Sequence, residues 1–195
     1  LATGPQNAGY WMSCDSNSCP VCVDCTATDS NKAFRLSGTY DVSQHPMVLN
    51  GLAADGGIGF ITSPNGIILN STAMNNDGEG FLLDEGQVGS SSSIGNGATG
   101  FVVNNGATVN NSESSDNLNG FISSNGIIEN SVAIENDITG FIILGGVSIK
   151  DSQSVNNGED GFLIFNNPWV ENLVAEGNNH NGFNITNSTI FNSTA

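Results

Sequence analysis

Four cysteines fall within twelve residues near the start of a 195-residue chain: Cys14, Cys19, Cys22 and Cys25. Their C-x4-C-x2-C-x2-C spacing could hold a metal through thiolates, or close into two disulfides in an oxidising compartment. A second set of reactive positions is the Asn-x-Ser/Thr acceptors at Asn70, Asn110, Asn184, Asn187 and Asn192. A chain this rich in Asn and Ser also makes such triplets by chance. Acids form the third set, 19 of them against Lys32, Arg35 and Lys150, for a net charge of -16. That balance excludes a nucleic-acid partner, because nothing neutralises phosphates, and it excludes an anionic membrane surface. Asp29, Asp55, Asp77 and Asp137 are spaced to lie near bends and could contribute to calcium sites. The Gly-Gly-x-Gly-x-Asp nonapeptide that binds calcium in one class of solenoid is missing, so Ca2+ is the only cofactor considered and no metal residue is assigned. No apolar run approaches the ~20 residues of a membrane span, and no signal peptide is visible, as in a mature chain whose leader has been removed.

The elements that must position these groups are set by a repeat. Gly-Phe recurs at residues 59, 80, 100, 120, 140, 161 and 182, in steps of 20 or 21. Self-similarity at that period is the signature of a solenoid. Tyr10 and Phe34 occupy the same place in two longer first coils, whose steps are 24 and 26 residues. The extra residues fall in Ser13–Pro20 and Ser37–Pro46, both after the aromatic segment, which puts their loops on one side of the rod. Further columns follow: Asp24, Asn50, Asn70, Ser90, Asn111, Asn130 at one bend, then Ala27, Ala53, Ala73, Ser93, Ser114, Ala133, then Asn76, Asn96, Asn117, Asn136, Asn157, Asn178. About 20 residues accommodate three strands of four to five residues and three bends, and no useful helix. Asn tolerates left-handed backbone at bends, and stacked amides can bond from coil to coil. The small column demands a narrow core, and the Gly before each aromatic residue is expected to supply a tight corner.

The expected fold is therefore all-β: a single-stranded right-handed parallel β-helix of about nine 20–26-residue coils, roughly 40 Å long at ~4.8 Å per coil. One domain spans residues 1–195, with the insertions and cysteines in 1–46 and regular coils in 47–195. In this register Cys22 aligns with Ile68 and Ile128 and Cys25 with Ser71 and Ser131, so both belong to a coil wall. Disulfides then fit better than metal, with the pairing left open.

The Asn-Ser-x-Ala-x-x-Asn-x-x-x-Gly-Phe rhythm, which covers essentially the whole chain, resembles the right-handed parallel β-helix repeats of the pectate-lyase-like superfamily, and its coils are similar to those of mannuronan C5-epimerase modules. The resemblance implies fold more than activity. Lyases of that superfamily use calcium-binding acids with an Arg or Lys base, and neither Arg35 nor Lys150 sits in an acidic cluster of the sequence. The epimerase segment Tyr-Gly-Phe-Asp-Pro-His is matched by Tyr40-Asp41-Val42-Ser43-Gln44-His45 at Tyr40 and His45 only. Ser43 replaces the carboxylate, which undermines proton abstraction, so these two are weak catalytic candidates and we lean away from an enzyme.

No amphipathic capping helix is visible at either end, although solenoids ordinarily need caps. Leu1 would follow Ala195 nearly in phase, as if one coil continued from chain to chain. The leading expectation is a non-enzymatic, extracellular or cell-surface structural protein that stacks head to tail on copies of itself, with Leu1, Tyr10, Trp11, Ile190, Phe191 and Ala195 at the junction. The alternative is a carbohydrate-binding or polysaccharide-active β-helix (lyase- or epimerase-like), its site on the insertion-bearing side, where exposed Trp11, Tyr40 or Trp169 could stack on sugars.

Overall fold

The computed structural model describes residues 2–3, 9–13, 19–37, 45–146 and 148–195. Within them the chain is all strand and bend, without helix, and it winds through three parallel sheets of nine strands each. Every coil visits a small-residue sheet (Ala2–Thr3 through Val174–Glu176), then a phenylalanine sheet (Tyr10–Ser13 through Phe183–Thr186), then an aliphatic sheet (Val21–Val23 through Ile190–Phe191). The molecule is thus a parallel β-solenoid, as the period required.

Strands of the small-residue and aliphatic sheets are mostly three residues long, shorter than expected, with the middle residue buried, as Ala133 is in Val132–Ile134 and Ile128 in Ile127–Glu129. They are short because left-handed residues end them. Asp24, Asn50, Asn70, Ser90, Asn111, Asn130, Asp151, Asn172 and Asn192, one per coil, all have φ between 47° and 55°. Asn, Asp and Ser make local backbone bonds that lower the cost of this conformation.

Parallel pairing in register places like on like. Phe81 pairs with Phe60 and Phe101, Phe121 with Phe101 and Phe141. From Phe34 to Phe162 the rings are fully buried and stacked, neighbouring centroids 4.6 to 4.8 Å apart. That separation is the strand spacing itself, so rings that would prefer an offset arrangement stack because the backbone does. Burying each is worth about 1.5–3 kcal/mol.

The Gly of each Gly-Phe has another role than the expected corner. Gly59, Gly80, Gly100, Gly120, Gly140, Gly161 and Gly182 lack positive φ. Instead, a Cβ on Gly100 would lie 2.0 Å from Ser114 Oγ and 2.7 Å from Gly120 O, and one on Gly120 would lie 2.8 Å from Ala133 Cβ. Glycine is needed because the small column and the next coil already fill that space. Where the small residue is Ser, its hydroxyl donates to the Gly carbonyl, as Ser93 does to Gly100 O at 3.1 Å and Ser154 to Gly161 O at 2.9 Å.

Two polar ladders close the bends. The Oδ1 of Asn96 accepts from Asn76 N and Nδ2 at 3.0 and 2.8 Å, and that of Asn117 accepts from Asn96 N and Nδ2 at 2.8 and 2.9 Å. Each Nδ2 also reaches the small-column carbonyl of the coil before, Asn117 to Ser93 O at 2.9 Å. Asn76, Asn96, Asn117, Asn136 and Asn157 are all buried. The second ladder is Ser71, Ser91, Ser112, Ser131 and Ser152, whose hydroxyls accept N–H groups from the preceding coil and donate to carbonyls two residues back.

Asn117 and Asn130 look interchangeable in sequence, yet they sit in opposite environments. Asn117→Ala should cost about 3 kcal/mol or more, because it strands several buried donors and acceptors. Asn130→Gly, at an exposed left-handed position, should change stability by no more than about 0.5 kcal/mol. Urea denaturation of the two variants checks this; equal effects would contradict the ladder.

Candidate functional site on the coil wall

Cys22 and Cys25 are joined by a disulfide, Cα–Cα 6.0 Å apart. Cys22 pairs with core Val48, and Cys25 holds the place of the serine ladder, its Sγ 3.5 Å from Val23 O. Cys19 is disulfide-bonded as well, and Cys14 lies outside the described residues.

Tyr40 also lies outside the described residues, so its relation to His45 is not described. His45 lies next to the end of the second insertion, and its Nδ1 is 3.0 Å from Asn65 O. It lines a cleft of about 210 Å³ with Glu85, Gln87, Asn105 and Thr108, at the bend between the phenylalanine and aliphatic sheets. Left-handed turns build that bend: Asn65 and Glu85 have φ of 65° and 56°, and Gly86 and Gly106 of 115° and 83°. Thr62 Oγ1 donates to Glu85 O at 2.9 Å, and Asn105 Nδ2 donates to the exposed carboxylate of Asp84. A second cleft of about 300 Å³ adjoins along the strand Gln87–Gly89, lined by Leu69, Gly89 and Asn110 and sharing Gln87 and Thr108 with the first. Of this set, sequence reasoning singled out His45 as a weak catalytic candidate and Asn110 as a glycosylation acceptor, and did not join them. The signal it passed over is Gly89, a gap in an outward column that otherwise carries side chains.

The other candidates are scattered. Trp11 is exposed on the first coil with the Arg35 guanidinium 5.3 Å from its ring centroid. Trp169 stacks on Phe191 at 5.5 Å at the opposite end and donates to Glu171 Oε2 at 3.2 Å. Ile190 packs half-buried against the core. Asn70, Asn187 and Asn192 are exposed left-handed bend residues, and Asn110 is half-buried with its Oδ1 accepting from Asn130 Nδ2 at 3.2 Å. Among the described residues no three His, Cys, Asp or Glu side chains are grouped as a metal site, Asp29, Asp55, Asp77 and Asp137 included.

The densest polar cluster is one the sequence did not mark. Asp160 is almost fully buried and accepts from His180 Nδ1 at 2.8 Å, from Asn181 N and Nδ2 at 3.1 and 2.8 Å, and from Asn184 Nδ2 at 2.8 Å. Burial alone pushes this carboxyl up, but bonds from Asn184, Asn181 and His180 outweigh it and hold it below its ordinary 3.8. The bonds tie the last coil to the one before. They also engage the nitrogen of Asn184 that a glycan would need.

Compared with protein-family models, curated proteins and solved structures, the chain matches none. What it can do must therefore be read from its own geometry.

A depressed carboxyl stabilises the fold above its unfolded value and loses that contribution as pH falls through the folded value. Wild type should thus exceed Asp160→Asn in stability at neutral pH. The gap should narrow as pH falls below the ordinary 3.8 and close once the folded carboxyl is protonated and isosteric with the amide. Urea midpoints against pH test this; a pH-independent gap would contradict it.

Proposed function

We propose that this protein is a non-enzymatic structural subunit whose solenoid stacks end to end on copies of itself. One observation carries the reading: the first and last described coils carry matching columns of the phenylalanine and aliphatic sheets. Ala2 pairs with Ala27 at one end and Thr194 bridges to Val174 at the other, so both outermost segments belong to the same sheet. Tyr10–Ser13 and Phe183–Thr186 are the opposite edges of the phenylalanine sheet, and Val21–Val23 and Ile190–Phe191 those of the aliphatic sheet. A second copy set on the first would carry the phenylalanine and aliphatic columns across the junction, Phe183 against Tyr10, Ile185 against Met12, Ile190 against Cys22 and Phe191 against Val23, once Thr194 gives up its place beside Val174 to the next copy's Ala2–Thr3 strand.

Packing at the ends supports this reading. Among the described residues the exposed large apolar side chains are Trp11, Val21 and Val23 on the first coil and Trp169, Val174 and Phe191 on the last two, with only Leu118 and Leu144 between. Unpaired strand edges beside apolar side chains are what strand addition uses, and a heterologous contact of this kind does not close. The net charge of -16 opposes the contact, so salt should promote it. The disulfide suits an extracellular or cell-surface setting. The likeness to pectate-lyase-like coils bears on architecture, and the reading takes no activity from it.

Negative-stain microscopy of the native protein at rising ionic strength should show filaments with an axial repeat of roughly 43 Å, nine strand spacings. Ile185→Asp, at an end-facing core position, should abolish them. Single rods at every salt concentration, with both terminal edges protected from hydrogen exchange, would overturn the proposal.

A further inference from the structure

The side wall carries a feature that stacking leaves untouched. On the aliphatic sheet the outward columns begin Val21, Met47, Ile67 and Val23, Leu49, Leu69. At the fourth coil they turn to Gln87 and Gly89, then to Thr108 and Asn110. Gly89 has no side chain to offer; the second cleft lies over it and meets the first at Gln87 and Thr108. The result is a trough along the strand, crossing the solenoid from the His45 and Glu85 corner to the bend at Ser90. Residues 85–90 span at most roughly 17 Å at ~3.3 Å per residue, which suits a short oligomer better than a single small molecule.

Its chemistry is selective. The backbone of Gln87–Gly89 is paired on both sides by Ile67–Leu69 and Thr108–Asn110, so a ligand cannot add as a strand and must be read by side chains. Those side chains are amides and hydroxyls (Gln87, Asn105, Thr108, Asn110), beside one apolar edge from Leu69, whose Cδ2 lies 3.1 Å from where a Gly89 Cβ would be. Neutral donors and acceptors next to an aliphatic edge match a chain with hydroxyls around its rim and C–H faces. The charge near the trough is acidic, from Glu85 and neighbouring Asp84. Lys150 stands three coils away in the same column, beyond Asn110 and Glu129, and Lys32 and Arg35 belong to the phenylalanine sheet. Nothing strongly basic lines it to balance a carboxylated polymer, and a polyuronate would meet like charge.

We infer that this trough is a binding site for a neutral, hydroxyl-rich oligosaccharide. Because it lies on the wall and not at an end, it works whether or not copies stack, and the two readings fail separately.

Titration calorimetry of the native protein with cellohexaose, mannohexaose and xylohexaose, and with hexagalacturonate as the charged counterpart, tests it. Binding of at least one neutral hexasaccharide is expected, with hexagalacturonate at least tenfold weaker. Gly89→Leu should weaken binding at least tenfold. The position has ordinary φ, Leu already stands at 49 and 69 in the same column, and the new Cβ meets only the movable end of Leu69 and, at 3.9 Å, Asn110 O. Gln87→Ala, which adds no bulk, should also weaken binding and serves if Gly89→Leu fails to fold. No binding of any neutral hexasaccharide, binding unchanged in the folded variants, or equal binding of hexagalacturonate would each overturn the inference.

Discussion

Parallel pairing at one strand spacing per coil is the constraint from which the rest of this molecule follows. Each residue lies directly above its equivalent in the coil below, so a side chain is admissible only if it packs against a copy of its own kind. Phenylalanine meets that condition by stacking and asparagine by relaying hydrogen bonds. Serine meets it by accepting from one coil while donating within its own. Charge does not meet it, and the core columns carry none; acids are confined to walls and bends. Asp160 departs from the rule, and four donors from the next coil surround it.

The same constraint explains why the ends and the walls have different capacities. An internal coil spends its backbone groups on both neighbours, so the wall can recognise a partner only through outward side chains. A terminal coil retains one unpaired edge and a half-covered core. The proposed end-to-end association and side-wall recognition would therefore be separate properties of one architecture, the first non-closing and dominated by backbone pairing, the second set by the residues that interrupt a column. Gly89 is one such interruption. In a solenoid, a missing side chain makes a trough because the residues above and below remain in place.

Legibility in the sequence followed periodicity. The Gly-Phe step, the bend asparagines and the small column each predict structure without reference to any other part of the chain, because one coil's requirement is repeated in every coil. The left-handed bends at Asn50, Asn70 and Asn130 and the wall placement of Cys22 and Cys25 were read this way. The role of the Gly before Phe was misassigned, since a tight corner and a close approach leave the same residue in the sequence. The trough was missed because periodic reading looks for what recurs, and its residues matter by failing to recur.

What the sequence by itself determined was the solenoid, its period and the identity of the columns, since these depend on local pattern. Only the tertiary structure decided which asparagines are buried and which exposed. Asn117 and Asn130 are the same residue at neighbouring bends, and burial is fixed by where the next coil's backbone passes. Tertiary structure also brought His45 beside Gln87 and Thr108, and His180, Asn181 and Asn184 around Asp160. Those groupings join residues of different coils, set by how the insertions and coils stack in register, which no single stretch of chain encodes.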